Sequence, residues 1–288
     1  MALPESQPTQ TSSSKSPCHA KFYSKPSLHV EIYDAMTSAH WESASPDIRF
    51  LRECFRGIEG PILELACGTG RAAVPLAEAG YQVHGLDASR DMLAVATTKK
   101  RKIAPEAMER LFLTMGDMRD FTFPLQFGGI YSTFRSFQNL LTPKDQETCL
   151  RCIHRHLRSD GLLVLNLFDP RYELLIPGDC PAAASSRSLV HPVSGNRVTV
   201  EVLQRVNDGF RQCLTETWRF TEFGPDDSTV LRQEEEVLEL RWTFRQEMRY
   251  LLCLCGFRIV AEYSDFEMSL PDYGKEQVWV AARIDEEI

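Results

Sequence analysis

The sequence has no apolar run near the roughly 18 to 20 residues that span a bilayer, which sets a helical membrane crossing aside. It also lacks an excess of basic charge: 32 Lys and Arg face 40 Asp and Glu, for a net charge of −8. Phosphate backbones are held by clustered Lys and Arg, so general binding to nucleic acid is not expected. Residues 1–27 lack the apolar stretch of about 7 to 15 residues that marks a secretory signal, and they lack arginine, which weakens a transit-peptide reading. The nine cysteines are scattered and odd in number, unlike a small disulfide framework. A reducing, cytoplasmic setting is the expectation. No internal repeat is present.

What is there is ordinary globular material. The chain has 288 residues, 43% hydrophobic and 25% charged, enough for a sizeable core. Residues 1–27 are rich in Ser, Pro, Thr and Lys and read as a disordered tail. One or two helices are expected between His29 and Phe55. Pro61 to Leu65 is a short strand that ends in a glycine-rich turn. A helix over about Arg71–Ala79 follows, stopped by Gly80. A second strand, Gln82–Leu86, ends in Asp87, and Ser89 is the N-cap of the next helix. The run Lys99–Lys102 suits a helix C-terminus and reads as solvated.

Further strands are expected at Leu111–Met115, Gly129–Phe134 and Leu162–Phe168. Helix Pro143–Arg158 and the turn Ser159-Asp160-Gly161 come before the last of these. Alternating strands and helices imply a parallel sheet covered on both faces. From about Leu189 to Leu240 the helical period gives way to alternation, as in Val198-Val200-Val202, which predicts an inserted antiparallel unit. Helix Phe244–Cys255 and strands Phe257–Tyr263 and Gln277–Arg283 close the chain. The expected division is one domain from 28–177 and 241–288, with residues 178–240 inserted.

Chemistry concentrates at Glu64-Leu65-Ala66-Cys67-Gly68-Thr69-Gly70-Arg71. Glycines in a strand-to-helix turn let the backbone approach a ligand, and the helix start offers N–H groups to an anion. The run Gly68-Thr69-Gly70-Arg71-Ala72-Ala73 also fits the dinucleotide pattern. Asp87, at the end of the next strand, is placed to accept both hydroxyls of a ribose. Asp117, in Gly116-Asp117-Met118, is placed to accept from an adenine amino group, with Met118 against the ring.

These three segments resemble the motifs of class I S-adenosylmethionine-dependent methyltransferases. The resemblance covers residues 28–284 and implies an α/β, Rossmann-like, doubly wound seven-stranded sheet with an antiparallel last strand. Tyr33-Asp34, the insertion and the helix ending in Gly256-Phe257 resemble the small-molecule members, the glycine/sarcosine and amino-sugar N-methyltransferases and related O-methyltransferases. The resemblance implies S-adenosylmethionine as cofactor and S-adenosylhomocysteine as product. It implies cofactor contacts from Tyr33, Glu64, Ala66, Cys67, Gly68, Gly70, Arg71, Asp87, Ala88, Met92, Asp117, Met118 and Phe134. Arg71 is either a partner for the methionine carboxylate or a solvated surface residue. Tyr33 and Trp41 are lid candidates, or ordinary packing residues of the N-terminal helices.

In-line transfer of a methyl group needs alignment and exclusion of water. A hydroxyl acceptor also needs a base, for which His40, Asp169 and His191 are the candidates, with Tyr33 a further candidate for a catalytic role. Trp41, Arg135 and Asn139 are the candidate acceptor contacts. The Asn/Asp-Pro-Pro-Tyr signature of base-methylating enzymes is absent; Thr133-Phe134-Arg135-Ser136 stands there. No metal is expected: Cys149, Cys152 and His156 lie on the buried stripe of a helix. Glu234-Glu235-Glu236 reads as a sheet edge or turn. The expected partner is a small molecule, with the chain a monomer or homodimer. A non-catalytic S-adenosylmethionine sensor and a nicotinamide-dependent oxidoreductase are the alternatives.

Overall fold

The structure, a computed structural model, describes residues 22–23, 26–37, 45–175, 178–180 and 186–285. Candidates His40 and Trp41 lie outside the described residues. Two helices lead: α1 (Leu28–Met36), N-capped by Ser27, and α2 (Pro46–Cys54). The α/β run is β1 (Ile62–Leu65), α3 (Ala73–Glu78), β2 (Val83–Asp87), α4 (Arg90–Lys100), α5 (Pro105–Arg110), β3 (Leu111–Met115), β4 (Phe127–Ser132), α6 (Pro143–His156) and β5 (Leu157–Phe168). Then come β6 (Gly178–Cys180), β7 (Arg187–Val190), β8 (Arg197–Asp208), β9 (Cys213–Phe223) and β10 (Val230–Arg241). Helix α7 (Arg245–Leu254) and strands β11 (Phe257–Tyr263) and β12 (Glu276–Arg283) end the chain.

The main sheet has seven strands in the order β11-β12-β5-β4-β1-β2-β3. Strands β1 to β5 pair in parallel, whereas β12 is antiparallel to both β5 and β11. The order reverses between β1 and β4, and ligands of such sheets bind outside the carboxyl ends at that point. All four residues of β1 and all six of β4 are buried, as expected for strands covered on both faces. One apolar cluster, with Phe137, Ile153 and Trp279, lies on one face, and a second, with Phe55, Leu76 and Tyr131, lies on the other. Gly128 and Gly129 allow this packing. A Cβ on Gly129 would sit 2.6 Å from the Phe55 ring, and one on Gly128 would sit 2.2 Å from the Glu59 carbonyl oxygen.

Strands β10, β9 and β8 form a second, antiparallel sheet, with β6 and β7 both on the free edge of β8. Helix α1 packs on this sheet through Leu28 and Ile32 against Val198, Val200 and Phe220. The acidic run lies on edge strand β10. Glu234 accepts from the Leu28 N–H at 3.0 Å, and Glu236 faces His29 at 3.6 Å.

Three local expectations change. Helix α3 starts at Ala73 rather than Arg71, because Gly68–Ala72 is used as a turn. The turn at 159–161 is absorbed into β5 as a register shift, with Phe127 opposite Leu157 and Gly129 opposite Leu162. Helix α5, opened by Pro105, was not expected.

Candidate active site

The turn after β1 is built from left-handed residues: Ala66 (φ +56°), Gly68 (φ +54°) and Gly70 (φ +75°). Gly68 and Gly70 take these angles without penalty; Ala66 carries strain of the kind found at ligand sites. The Gly68 N–H donates to Asp87 Oδ2 at 2.7 Å, and the Ser89 N–H donates to Asp87 Oδ1 at 2.7 Å. The first turn is thereby tied to the acid that ends β2. Burial raises the Asp87 pKa against the pull of those two N–H groups. Cys67 is buried beneath the turn, and a Cβ on Gly85 would meet its Sγ at 2.8 Å.

Under the turn lies a buried polar network. Arg71 is only 4% exposed, so the surface alternative is incorrect. Its guanidinium pairs with Asp47 of α2, reaches Thr133 Oγ1 at 3.4 Å and sits 4.8 Å from the Phe134 ring centre. Burial alone would lower the Arg71 pKa; the Asp47 carboxylate outweighs it and raises it. Glu64 accepts from the Tyr131 hydroxyl at 3.2 Å, and burial pushes its pKa up to about 8.

Helix α1 closes over this network. Burial raises the Tyr33 pKa to about 12, with Arg71 acting against it and Asp34, Glu64 and Asp87 adding to it. Asp34, beside it, accepts from the Thr69 hydroxyl at 2.6 Å and pairs with Lys99 of α4 at 2.6 Å. Lys99 is therefore not a solvated helix end. Its side chain is 16% exposed, and burial lowers its pKa to about 8 despite the carboxylate. Upstream, the Ser89 hydroxyl donates to the Tyr23 carbonyl, and the Tyr23 ring packs 6.0 Å from Tyr33.

At the remaining strand ends, Asp117 is gripped by Arg119, which also bonds Asp145 at 2.8 Å. Met118 is partly buried against the core, Ala88 is exposed at the β2 turn, and Met92 is buried within α4. Phe134 and Arg135 are consecutive left-handed residues (φ +58° and +65°), and Arg135 pairs with Glu276 of β12. Asn139 bonds the Ser136 carbonyl within its own 3-10 turn at 3.0 Å.

Two of the base candidates have hydrogen-bond partners of their own. Asp169 is 9% exposed and accepts from the Gly274 N–H at 3.0 Å and Gln277 Nε2 at 2.7 Å. His191 lies 3.1 Å from Glu31 through Nε2, while Nδ1 accepts the N–H groups of Val193 and Ser194, each at 3.2 Å. Both are pinned by neighbours. The Cys149/Cys152/His156 group is engaged too: Cys152 Sγ reaches the Phe121 carbonyl at 3.4 Å, and His156 Nε2 accepts from the Phe123 N–H at 3.3 Å. Sequence reading missed Asp47, Lys99 and Thr69 as parts of the site. Thr69 carried a signal through its place in the glycine motif, and Asp34, its partner, through its place beside Tyr33.

The glycine turn after β1, Asp87 at the end of β2 and Asp117 after β3 stand at the carboxyl ends of the strands beside the point where the sheet order reverses, where ligands of such α/β sheets bind. Residues 62–161 match a family model described as "Methyltransferase domain". Over those residues the chain is similar to the methyltransferase domain.

It is similar to the cypemycin N-terminal methyltransferase of a Streptomyces species, with 28% identity over 233 residues, 80% of this chain and 85% of that one. It is also similar to the glycine/sarcosine N-methyltransferase of Aphanothece halophytica, with 26% identity over 243 residues, 83% of this chain and 81% of that one. In fold it matches the crystal structure of Streptomyces venezuelae DesVI with a TM-score of 0.70 at 20% identity, covering 90% of this chain and 100% of that one.

Proposed function

We propose that the chain transfers a methyl group to a nitrogen, or to an oxygen, of a small polar molecule. The observation that carries the cofactor site is the 2.7 Å bond from the Gly68 N–H to Asp87, which brings the first two motif turns to one edge of the crevice. Gly68 and Gly70 leave room for close backbone approach. The Asp87 carboxylate, held in place by two N–H groups, would accept from the ribose hydroxyls. Asp117 and Met118 would take the adenine. Arg71, with Asp47 and Thr133 behind it, would face the methionine carboxylate. Tyr33 would cover the site. The bound sulfonium supplies an activated methyl group; the chain's residues supply alignment and a dry setting.

Nitrogen is favoured over oxygen by two things. Relatives are named as N-methyltransferases, including an amino-sugar N,N-dimethyltransferase of Streptomyces fradiae that is 35% identical over 104 residues, 36% of this chain and 38% of that one. Asp169 and His191, two of the candidate bases, are tied up by other groups, and a neutral amine needs no base to attack. No described helix is long and apolar enough to cross a membrane. We take the chain to act in the cytoplasm, as a monomer or homodimer.

The test is calorimetric titration with S-adenosylhomocysteine, followed by mass-spectrometric detection of methyl transfer to a panel of amines and alcohols. One-site binding with methylated amine supports the reading. Binding without any product supports a sensor instead. Binding of a nicotinamide cofactor in its place would overturn both.

A further inference from the structure

Strand β4 ends at Ser132, and the chain after it takes an uncommon path. Phe134 and Arg135 are both left-handed, and neither is glycine. A Cβ makes this region unfavourable, so two such residues in succession persist only where their surroundings dictate it. The 3-10 turn Ser136–Asn139 follows directly. The path places a ring. The Phe134 ring centre stands 4.8 Å from the Arg71 guanidinium, and Arg71 reaches Thr133 Oγ1 at 3.4 Å. Two adjacent residues after β4 thus touch the turn after β1. On the other flank, Arg135 lies 5.7 Å from the Phe168 ring centre and pairs with Glu276.

Gln138 holds this path. It is fully buried, and its side-chain amide is used at both ends. Nε2 donates to the carbonyl of Arg241, the last residue of β10, at 3.3 Å. Oε1 accepts from the N–H of Phe168, the last residue of β5, at 2.9 Å. Strand β5 runs past its last pair with β4, Ser132 opposite Leu165. The Asp169 N–H turns to Lys275 on the β12 side, and Gln138 takes the Phe168 N–H on the side that β4 no longer reaches. The Gln138 N–H itself donates to the Arg135 carbonyl at 3.0 Å. One residue therefore ties the left-handed pair to the ends of a strand in each sheet.

We infer that Gln138 is a positioning residue of the cofactor site: by tying the turn to β5 and β10 it keeps Phe134 and Arg135 left-handed, and so holds the Phe134 ring on Arg71. This rests on the methyl-transfer reading above, in which Arg71 faces the methionine carboxylate. Without the two amide bonds, residues 133–139 relax toward ordinary backbone angles and the ring leaves the guanidinium. The second sheet thereby acts on cofactor binding through the Arg241 carbonyl.

The test is calorimetric titration of the full chain with S-adenosylhomocysteine, with urea unfolding to check that each variant is folded. Gln138→Met keeps the side chain's length and removes both bonds. Its Kd should rise about fivefold, the scale of one ring–guanidinium contact. Phe134→Ala should lose about as much, and the double variant no more than Phe134→Ala alone, because Gln138 acts through the ring. Gln138→Glu is the rescue. A protonated carboxyl offers the one donor and one acceptor that the amide uses here, whereas an ionised one has no donor for the Arg241 carbonyl. Its Kd, divided by the wild-type value at the same pH, should stand near one at about pH 5.5 and climb toward the Gln138→Met value by about pH 8.5. Groups common to both proteins cancel in that ratio. An amide that only stabilised the fold would lower the urea midpoint and leave Kd unchanged. Wild-type affinity in Gln138→Met, additive losses in the double variant, or no recovery of Gln138→Glu at low pH would overturn the role while the methyl-transfer reading stands. A wild-type chain that does not bind S-adenosylhomocysteine would overturn both.

Discussion

Lys99→Met isolates one buried charge. In the folded chain the Lys99 ammonium is 16% exposed and lies 2.6 Å from Asp34 Oδ2. Burial nevertheless brings its pKa from 10.5 down to about 8; Asp34 and Glu64 oppose that fall and Arg71 adds to it. A fall of about 2.5 pKa units corresponds to about 3 kcal/mol between the two protonation states. The sign follows from proton counting. Below about pH 8 both folded and unfolded chains hold the proton, and the cost of burying the charge is felt in full. Between about pH 8 and 10.5 the unfolded chain keeps a proton that the folded chain gives up, so stability rises with pH.

Methionine fills similar space and has no proton to lose. The wild-type unfolding free energy minus that of Lys99→Met should therefore climb by about 2 kcal/mol from pH 7.5 to 9.5. Urea denaturation of both proteins at the two pH values measures it, and groups common to both proteins cancel. A difference that stays flat or falls with pH would refute a buried Lys99.

Asp87→Ala removes the carboxylate that ties Gly68 and Ser89, so the Kd for S-adenosylhomocysteine should rise about tenfold or more; wild-type affinity in calorimetry would rule out its ribose role. Asp47→Asn leaves Arg71 buried beside a neutral amide and should cost about 3 to 5 kcal/mol in denaturant unfolding. A loss below about 1 kcal/mol would mean the pair is not dry in solution. Gly128→Ala should fail to give soluble folded protein, since the new methyl would meet the Glu59 carbonyl at 2.2 Å. Gly68→Ala, with open space at φ +54°, should fold and lose only about 1 to 2 kcal/mol. Glu64 is stabilising while protonated and loses that as pH rises from 4.5 through about 8. Stability of the wild type relative to Glu64→Gln should fall across that window, and a rise in thermal melts would contradict its burial.

The elements best read from sequence were those with local causes. Ser89 caps α4 by accepting the Met92 N–H at 3.2 Å, and Thr142 caps α6 through the Asp145 N–H at 3.0 Å. The glycine turn after β1 and the acids after β2 and β3 sit at strand ends because strand length and turn chemistry are neighbour effects. Helix α5 escaped notice because six residues behind a proline show no period. The turn at 159–161 was misjudged because the register shift that absorbs it is set by β4, a partner strand.

Sequence alone determined the parallel α/β core, the antiparallel second sheet, the buried stripe of α6 and the three turns at the strand ends, since each depends on residues within one or two turns of chain. Tertiary structure alone decided which charges are paired. Arg71 becomes a buried partner of Asp47, 24 residues earlier, and Lys99 folds inward to Asp34. It also decided that Asp169 and His191 are held by neighbours, and that Tyr172, Phe244 and Tyr273 meet at one cleft. Coulombic and hydrogen-bond partners are selected by proximity after packing, and proximity between distant segments leaves no periodic trace in a chain.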